Sequence, residues 1–185
     1  MGSTIFLLLL LLSLAIPQFI FQQRLNFVKG DMDLIQKTCK NTKYYDLCVS
    51  SLKSNAKSSK ADTKELALIM IGIGVANATA TSYYLSSHLL NATANHTILK
   101  KVLKDCADKY SYAGDALKAS VIDMGMESYD YAYMHIMAAA DYPNACRIAF
   151  RRCPGLTYPP EIANREQRLK HICDVVLGII DVLGW

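Results

Sequence analysis

Residues 99–125 read LKKVLKDCADKYSYAGDALKASVIDMG, and this stretch decides the fold. Leu99, Leu103, Cys106, Tyr110, Ala113, Leu117, Ser120 and Met124 recur at alternating steps of four and three. That is the heptad period of one helix face packed along a neighbour. A seam this long calls for helices packed nearly antiparallel at about 20°, the geometry of a helical bundle. The other faces carry Lys100, Lys101, Lys104, Asp105, Asp108 and Lys109, and Gly125 ends the run. Asp105 and Asp108, beside Lys101 and Lys104, read as a solvated face with helical ion pairs rather than as paired catalytic carboxylates.

Towards the N-terminus, Asp62-Thr63-Lys64-Glu65 is a capping box. The Asp62 side chain accepts from the backbone three residues on, and Glu65 reaches back. The helix it opens is expected to run to about Leu90, with Leu66, Ile69, Met70, Ile73, Ala76, Ala80, Tyr84 and Leu85 among its apolar positions. Gly72 and Gly74 each cost such a helix about 1 kcal/mol against Ala, which suggests close packing of a neighbour. Asn91 to Asn95 is a polar break, and Ser54 to Lys60 reads as a linker. Upstream, Asp31 to about Lys37 and Tyr44 to about Lys53 read as a small helical hairpin about the turn-like Asn41-Thr42-Lys43.

Towards the C-terminus, a helix is expected from near Ser128 to about Ala140. Asp141-Tyr142-Pro143 then interrupts it, with Pro143 in the first turn of a further segment to Arg152. Cys153-Pro154-Gly155 and Tyr158-Pro159-Pro160 form a rigid connection. A second capping box, Asn164-Arg165-Glu166-Gln167, opens a last helix with Leu169, Ile172, Cys173, Val176, Ile179, Ile180 and Leu183 on one face. No strand-period segment competes. The expected architecture is all-α: an up-down four-helix bundle with an N-terminal helical hairpin, in one domain over residues 31–185.

Residues 1–30 read as a signal peptide. The apolar run Ile5 to Ile16 has the length of an h-region and is shorter than a membrane span of ~20 residues. Cleavage falls between Gln18 and Asp31. A retained signal anchor is the alternative, and Gln22, Gln23 and Arg24 count against it by stopping the apolar run. Six cysteines follow the leader: Cys39, Cys48, Cys106, Cys146, Cys153 and Cys173. An even count in an exported chain reads as a disulfide framework whose pairing spacing alone leaves open. A metal site from Cys146, Cys153, His171 and Cys173 is the poorer reading, since no close Cys-x-x-Cys pair exists. Three sequons, at Asn77, Asn91 and Asn95, support export. Asn91 and Asn95 lie at the apparent turn between the first two bundle helices, so at least one of them is expected to carry a glycan; Asn77, inside a helix, is the less favoured site.

Charge and motifs exclude more than they assign. Loss of residues 1–30 removes Arg24 and Lys29 and no acid, which lowers a formal net charge of +4 by two. Arg147, Arg151 and Arg152 make one small basic patch, too little for nucleic acid. There is no H-E-x-x-H, P-loop, dinucleotide fingerprint or nucleophile elbow. The chain reads as a binding protein, with no catalytic residue, metal or cofactor implied. A secreted carrier of a lipid or small ligand is the alternative of another class, its cavity lined by Leu66, Ile69, Met70 and Ile73. An unrecognised hydrolase is the remaining one.

Several features together resemble the plant invertase and pectin methylesterase inhibitors. They are the leader, Cys39 and Cys48 across a hairpin, the alanine-rich helix with Asn77-Ala78-Thr79, Cys106 and Cys146 in a bundle, and the C-terminal run Cys173-Asp174-Val175-Val176-Leu177-Gly178-Ile179-Ile180. The resemblance covers about Asp31 to Leu183. It implies a four-helix bundle with an N-terminal hairpin, and pairs Cys39 with Cys48 and Cys106 with Cys146. Cys153 and Cys173 lie outside the family's four-cysteine pattern and are expected to pair with each other. The resemblance also implies an extracellular, cell-wall or vacuolar protein that forms a one-to-one complex with an acid invertase or a pectin methylesterase and occludes its active-site cleft. Invertase is the favoured target. No membrane contact is expected once the leader is removed. The family's invertase inhibitors present Pro-Lys-Phe at the turn before the third bundle helix. Here that neighbourhood reads Glu127-Ser128-Tyr129-Asp130-Tyr131, so Tyr129, Asp130 and Tyr131 are the candidate contacts.

Overall fold

A computed structural model describes residues 33–89 and 97–184, and among these every regular element is a helix. The hairpin consists of α1 (residues 33–39) and α2 (Tyr45–Lys53). A 3-10 turn, Ala56–Lys60, leads into α3 (Thr63–Tyr84), which runs on into a π turn, Leu85–Leu89. The bundle continues with α4 (Thr97–Gly125), α5 (Tyr129–Arg151) and α6 (Pro160–Leu183). α4 lies between α3 and α5, and α6 closes the square against both. Residues 1–32, with the expected leader and its cleavage site, lie outside the described residues, as do Asn91 and Asn95.

The seam of α4 forms the middle of the core. Leu103, Cys106, Tyr110, Ala113, Leu117, Ser120 and Met124 are buried, and Leu99 is half-buried where the seam begins. A fully buried Leu or Met contributes about 1.5–3 kcal/mol relative to exposure. α6 brings Leu169, Ile172, Cys173, Val176, Ile179 and Ile180 to the same core.

The expected capping box of α3 is present: Glu65 N–H donates to Asp62 Oδ1 at 2.8 Å, and Asp62 N–H donates to Glu65 Oε2 at 2.9 Å. The face that α3 buries differs from the expected one. Leu66 and Met70 are buried, but Ala67, Ile71, Gly74, Ala78 and Thr81 complete the stripe, while Ile69 and Ile73 are half-exposed and Ala76 and Ala80 exposed. α3 is apolar on every side, so its periodicity could not choose between faces. Of its two glycines, only Gly74 is there for packing: a Cβ would meet Leu117 Cδ1 at 3.1 Å, whereas one on Gly72 would meet nothing within 4 Å.

Two further boundaries move. α5 is one helix through Pro143 rather than two segments. An internal proline removes a hydrogen bond and costs ~3 kcal/mol. Here Pro143 is itself buried, in one stripe with Ala139, Cys146 and Phe150, and the disulfide at Cys146 holds the next turn against α4. α6 begins at Pro160, before the expected box at Asn164. Pro at the first position gives up an N–H the helix does not use. Ile162 and Ala163 N–H both donate to Pro159 O at 3.0 Å. Asn164 to Gln167, the expected box, therefore lie inside the helix, and Glu166 among them is buried. Part of the expected linker is the 3-10 turn, which Asn55 caps by accepting from Lys57 N–H.

The hairpin docks on α6. Thr42 N–H and Oγ1 donate to Cys39 O at 2.9 and 2.7 Å, which closes its turn. Gly178 lies under that turn: a Cβ there would stand 3.0 Å from both Asn41 O and Thr42 Cα. Tyr44 stacks on His171 with ring centroids 3.8 Å apart, and Lys43 Nζ reaches Asp174 Oδ2 at 3.6 Å.

The disulfides Cys39–Cys48 and Cys106–Cys146 are formed, as the family resemblance implied. The expected Cys153–Cys173 bond is not: both thiols are free, Cys153 half-buried and Cys173 fully buried. The reason is the antiparallel register of α5 and α6. Arg147 meets Glu166 across that pair. Cys153 and Cys173 lie beyond this contact in opposite directions, separated by about 20 Å of helix rise. A disulfide needs Cα atoms within ~7 Å.

Candidate target-binding surface

The connection between α4 and α5 is built by helix termination. Ser128 N–H donates to Asp123 O at 2.9 Å and Glu127 N–H to Met124 O at 3.2 Å, the paired bonds of a Schellman ending. That ending needs a left-handed residue. Glu127 supplies it at φ +57°, not Gly125, which lies within the last turn of α4. A side chain in this conformation costs about 1–2 kcal/mol. Lys64 Nζ, at the start of α3, meets Glu127 Oε1 at 3.3 Å. His135 Nδ1 donates to Asp123 Oδ2 at 2.7 Å and ties the end of α4 to the second turn of α5.

The candidate contacts divide on this frame. Tyr129 is half-buried and packs against the core. Asp130 is exposed in the first turn of α5, where a carboxylate is favoured by the helix dipole. Tyr131 is 64% exposed. Three side chains that sequence reasoning missed are each also 64% exposed: Ile122 in the last turn of α4, Met126 in the connection, and Met134 three residues after Tyr131 in α5. Their signal was present as large apolar residues off the heptad seam. Exposed Met and aromatic side chains supply adaptable, apolar contact area. The arrangement offers contact without chemistry, since no nucleophile with an adjacent base stands among these residues.

Asn77 lies within α3, half-buried, with its Oδ1 enclosed and without a hydrogen-bond partner.

A second polar group holds the far end of α5. Glu166 is 8% exposed, and its Oε2 accepts from Arg147 Nε at 3.0 Å, Arg147 Nη2 at 2.9 Å and Tyr158 OH at 2.9 Å. Burial first, then the charges around it, pushes the Tyr158 phenol well above its usual range. The hydrogen bond to Glu166 holds the Arg147 guanidinium more firmly protonated. This cluster joins α5, α6 and their connection, and its role is structural.

Residues 33–179 match the family described as plant invertase/pectin methylesterase inhibitor, almost the whole described chain. The chain belongs to this family. Among the inhibitors it resembles is an Arabidopsis thaliana protein named cell wall / vacuolar inhibitor of fructosidase 2. The two are 49% identical over 182 residues, 98% of each chain. A rice protein named pectinesterase inhibitor 28 is 38% identical over 156 residues, covering 81% of this chain and 69% of that one. A crystal structure of a mutant pectin methylesterase inhibitor from Arabidopsis superposes with a TM-score of 0.62 at 21% identity, covering 82% of this chain and 95% of that one. The inhibitor bundle is thus the same fold. Members of the family are, by name, inhibitors of enzymes rather than enzymes themselves.

Proposed function

We propose that this protein is a secreted inhibitor of plant acid invertase (β-fructofuranosidase), acting by occupying the enzyme's active-site cleft. The observation that carries the reading is the full-length similarity to an inhibitor of fructosidase, at 49% identity. The geometry supports the mode of action. An inhibitor without catalytic groups must exclude substrate by filling space, which favours a rigid, protruding surface. The α4–α5 end provides one, with its backbone set by the Schellman ending and braced by Lys64–Glu127 and Asp123–His135.

A stable complex buries ~1,600 Å² in total, and a few central anchors dominate its energy. Tyr131 and Met126 are the proposed anchors, Asp130 a polar contact at the rim, and Tyr129 a support beneath them. The complex is one-to-one. Residues 1–30 serve as the leader, the mature protein lies in the cell wall or vacuole, and at least one of Asn91 and Asn95 carries a glycan. Pectin methylesterase is the second reading, favoured by the similarity to a pectinesterase inhibitor at 38% identity.

The test is inhibition of acid invertase and of pectin methylesterase by the same purified mature protein. Invertase should be inhibited stoichiometrically, and Tyr131→Ala should weaken inhibition at least tenfold, about 1.4 kcal/mol. Inhibition of the esterase alone would transfer the protein to the second reading. Unchanged inhibition by Tyr131→Ala and Met126→Ala, with the melting temperature preserved, would move the contact surface elsewhere on the bundle.

A further inference from the structure

α3 has more apolar surface than its neighbours cover. An 18-residue window within Thr63–Ser87 has a mean hydropathy of 1.5, yet only 39% of it is buried. A helix apolar on all sides normally lies wholly inside a protein. Here the outer side runs under the turn Ala56–Lys60 and forms an open groove of about 610 Å³. Leu68, Ile69, Gly72 and Ile73 make its floor, and Lys57 and Lys60 stand over it on the turn. Gly72 opens the middle of the floor, where an added Cβ would meet nothing within 4 Å.

The charge over this floor is one-sided. Among the described residues neither Lys57 nor Lys60 has an ion-pair partner. The one acid of the lining, Glu65, is engaged at the Asp62 N–H. Asn55 Oδ1 is engaged by the Lys57 backbone. What remains is a hydrocarbon trough with two unpaired ammonium groups above it. The volume lies within the ~300–1,000 Å³ of small-ligand sites. From Leu68 to Ala76 the floor follows α3 for about 12 Å, the reach of a medium-length acyl chain.

We propose that this groove binds a single-chain amphiphilic anion, a fatty-acid carboxylate, with its tail along α3 between Leu68 and Ala76 and its head beside Lys57 and Lys60. The site shares no lining residue with the inhibitory surface, although its head end, beside Lys64, lies at the same end of the bundle as the α4–α5 connection. It is also not the interior cavity that the sequence alternative required: Leu66 and Met70 are fully buried in the core, and Ile69 and Ile73 turn outward to the groove. A second copy of the chain fits less well. An isologous contact here would enclose the same two lysines twice, facing only the Glu65 carboxylates already used as caps.

The experiment is calorimetric titration of the mature protein with dodecanoate below its micelle concentration, beside dodecanol and acetate. Dodecanoate should bind one-to-one, dodecanol at least tenfold more weakly, and acetate not measurably. Shortening the chain to decanoate should weaken binding severalfold, up to about fourfold for each methylene lost. Gly72→Leu fills the floor and should weaken dodecanoate at least tenfold. Lys57→Gln with Lys60→Gln, on the exposed turn, should weaken dodecanoate about tenfold and leave dodecanol unchanged, which keeps the test decisive if Gly72→Leu folds poorly. Absence of binding, or binding indifferent to both sets of substitutions, would overturn the proposal. So would a dimer that dissociates on Gly72→Leu without binding dodecanoate, which would give the face to a second copy.

Discussion

Tyr110→Phe should stabilise this protein. Tyr110 is fully buried in the seam of α4, and its hydroxyl has no hydrogen-bond partner. Burial, and after it the negative charge of Glu166, holds the phenol neutral far above its usual range. An enclosed, unpaired hydroxyl costs about 1–3 kcal/mol, and phenylalanine keeps the ring while removing that group. A small loss of packing where the oxygen stood offsets part of the gain. The expected net is about 1–2 kcal/mol, or a melting temperature higher by about 2–8 °C for a chain of this size. Tyr158→Phe is the matched control, because its hydroxyl donates to Glu166 at 2.9 Å. Loss of a hydrogen bond to a charged group should cost about 1.5–3 kcal/mol. The two tyrosines lie in one electrostatic neighbourhood, so the same deletion should act with opposite sign. Thermal and urea unfolding followed by circular dichroism, with disulfides intact, reads both. Destabilisation by Tyr110→Phe of 1 kcal/mol or more (about 1 kcal/mol being the worth of one made hydrogen bond) would show that the hydroxyl is bonded and refute the reasoning.

Three other expectations concern the hairpin, the disulfides and alkaline pH. Gly178→Ala should destabilise by about 1–2 kcal/mol and loosen the hairpin, since its Cβ would press on backbone atoms 3.0 Å away, whereas Gly72→Ala on the open face should gain about 0.8–1 kcal/mol; hydrogen exchange at α1 and α2 separates the two. Replacing Cys106 and Cys146 by Ser opens a loop with a sequence separation of 40 and should cost about 4 kcal/mol, against about 2.5 kcal/mol for Cys39 and Cys48 with a separation of 9, read as the drop in urea midpoint. Burial, then the Asp174 charge, pushes the Cys173 thiol up to about 12. Below about pH 8.5 the thiol is protonated in both states and has no effect; above that the unfolded chain ionises first, so stability should fall by about 1.4 kcal/mol per pH unit between about pH 8.5 and pH 10, beyond which the buried Tyr110 and Tyr158 phenols, raised by burial, steepen the fall. Cys173→Ala should flatten that slope, and an unchanged slope would remove the thiol as its cause.

Much of this protein was legible one helix at a time. The alternation of four and three along Leu103, Cys106, Tyr110, Ala113, Leu117, Ser120 and Met124 identified the buried face of α4, because only one of its sides is apolar. The apolar face of α6 was read in the same way, and the cap of α3 came from side chains that bond within one turn. Family resemblance supplied the two disulfides and the class of inhibitor. The target-binding surface was legible only in outline. Tyr131 was marked by its place after Gly125, but no local rule separates its exposure from the half-burial of Tyr129 two residues earlier.

What tertiary structure alone decided is everything that depends on a neighbour. α3 is apolar all round, so contact with Leu117 and Ile172, not periodicity, selected the side bearing Gly74 and left Gly72 facing the groove. Pro143 stays inside α5 because its ring is buried between helices, a gain that its own sequence does not display. Cys153 and Cys173 remain thiols because the register of α5 against α6 carries them apart, and register is set by the whole interface. Sequence determined what each segment can form from bonds and periodicities within a few residues. The packed bundle determined which face each segment shows to its neighbours, because burial energy is shared across all four helices and belongs to none of them separately.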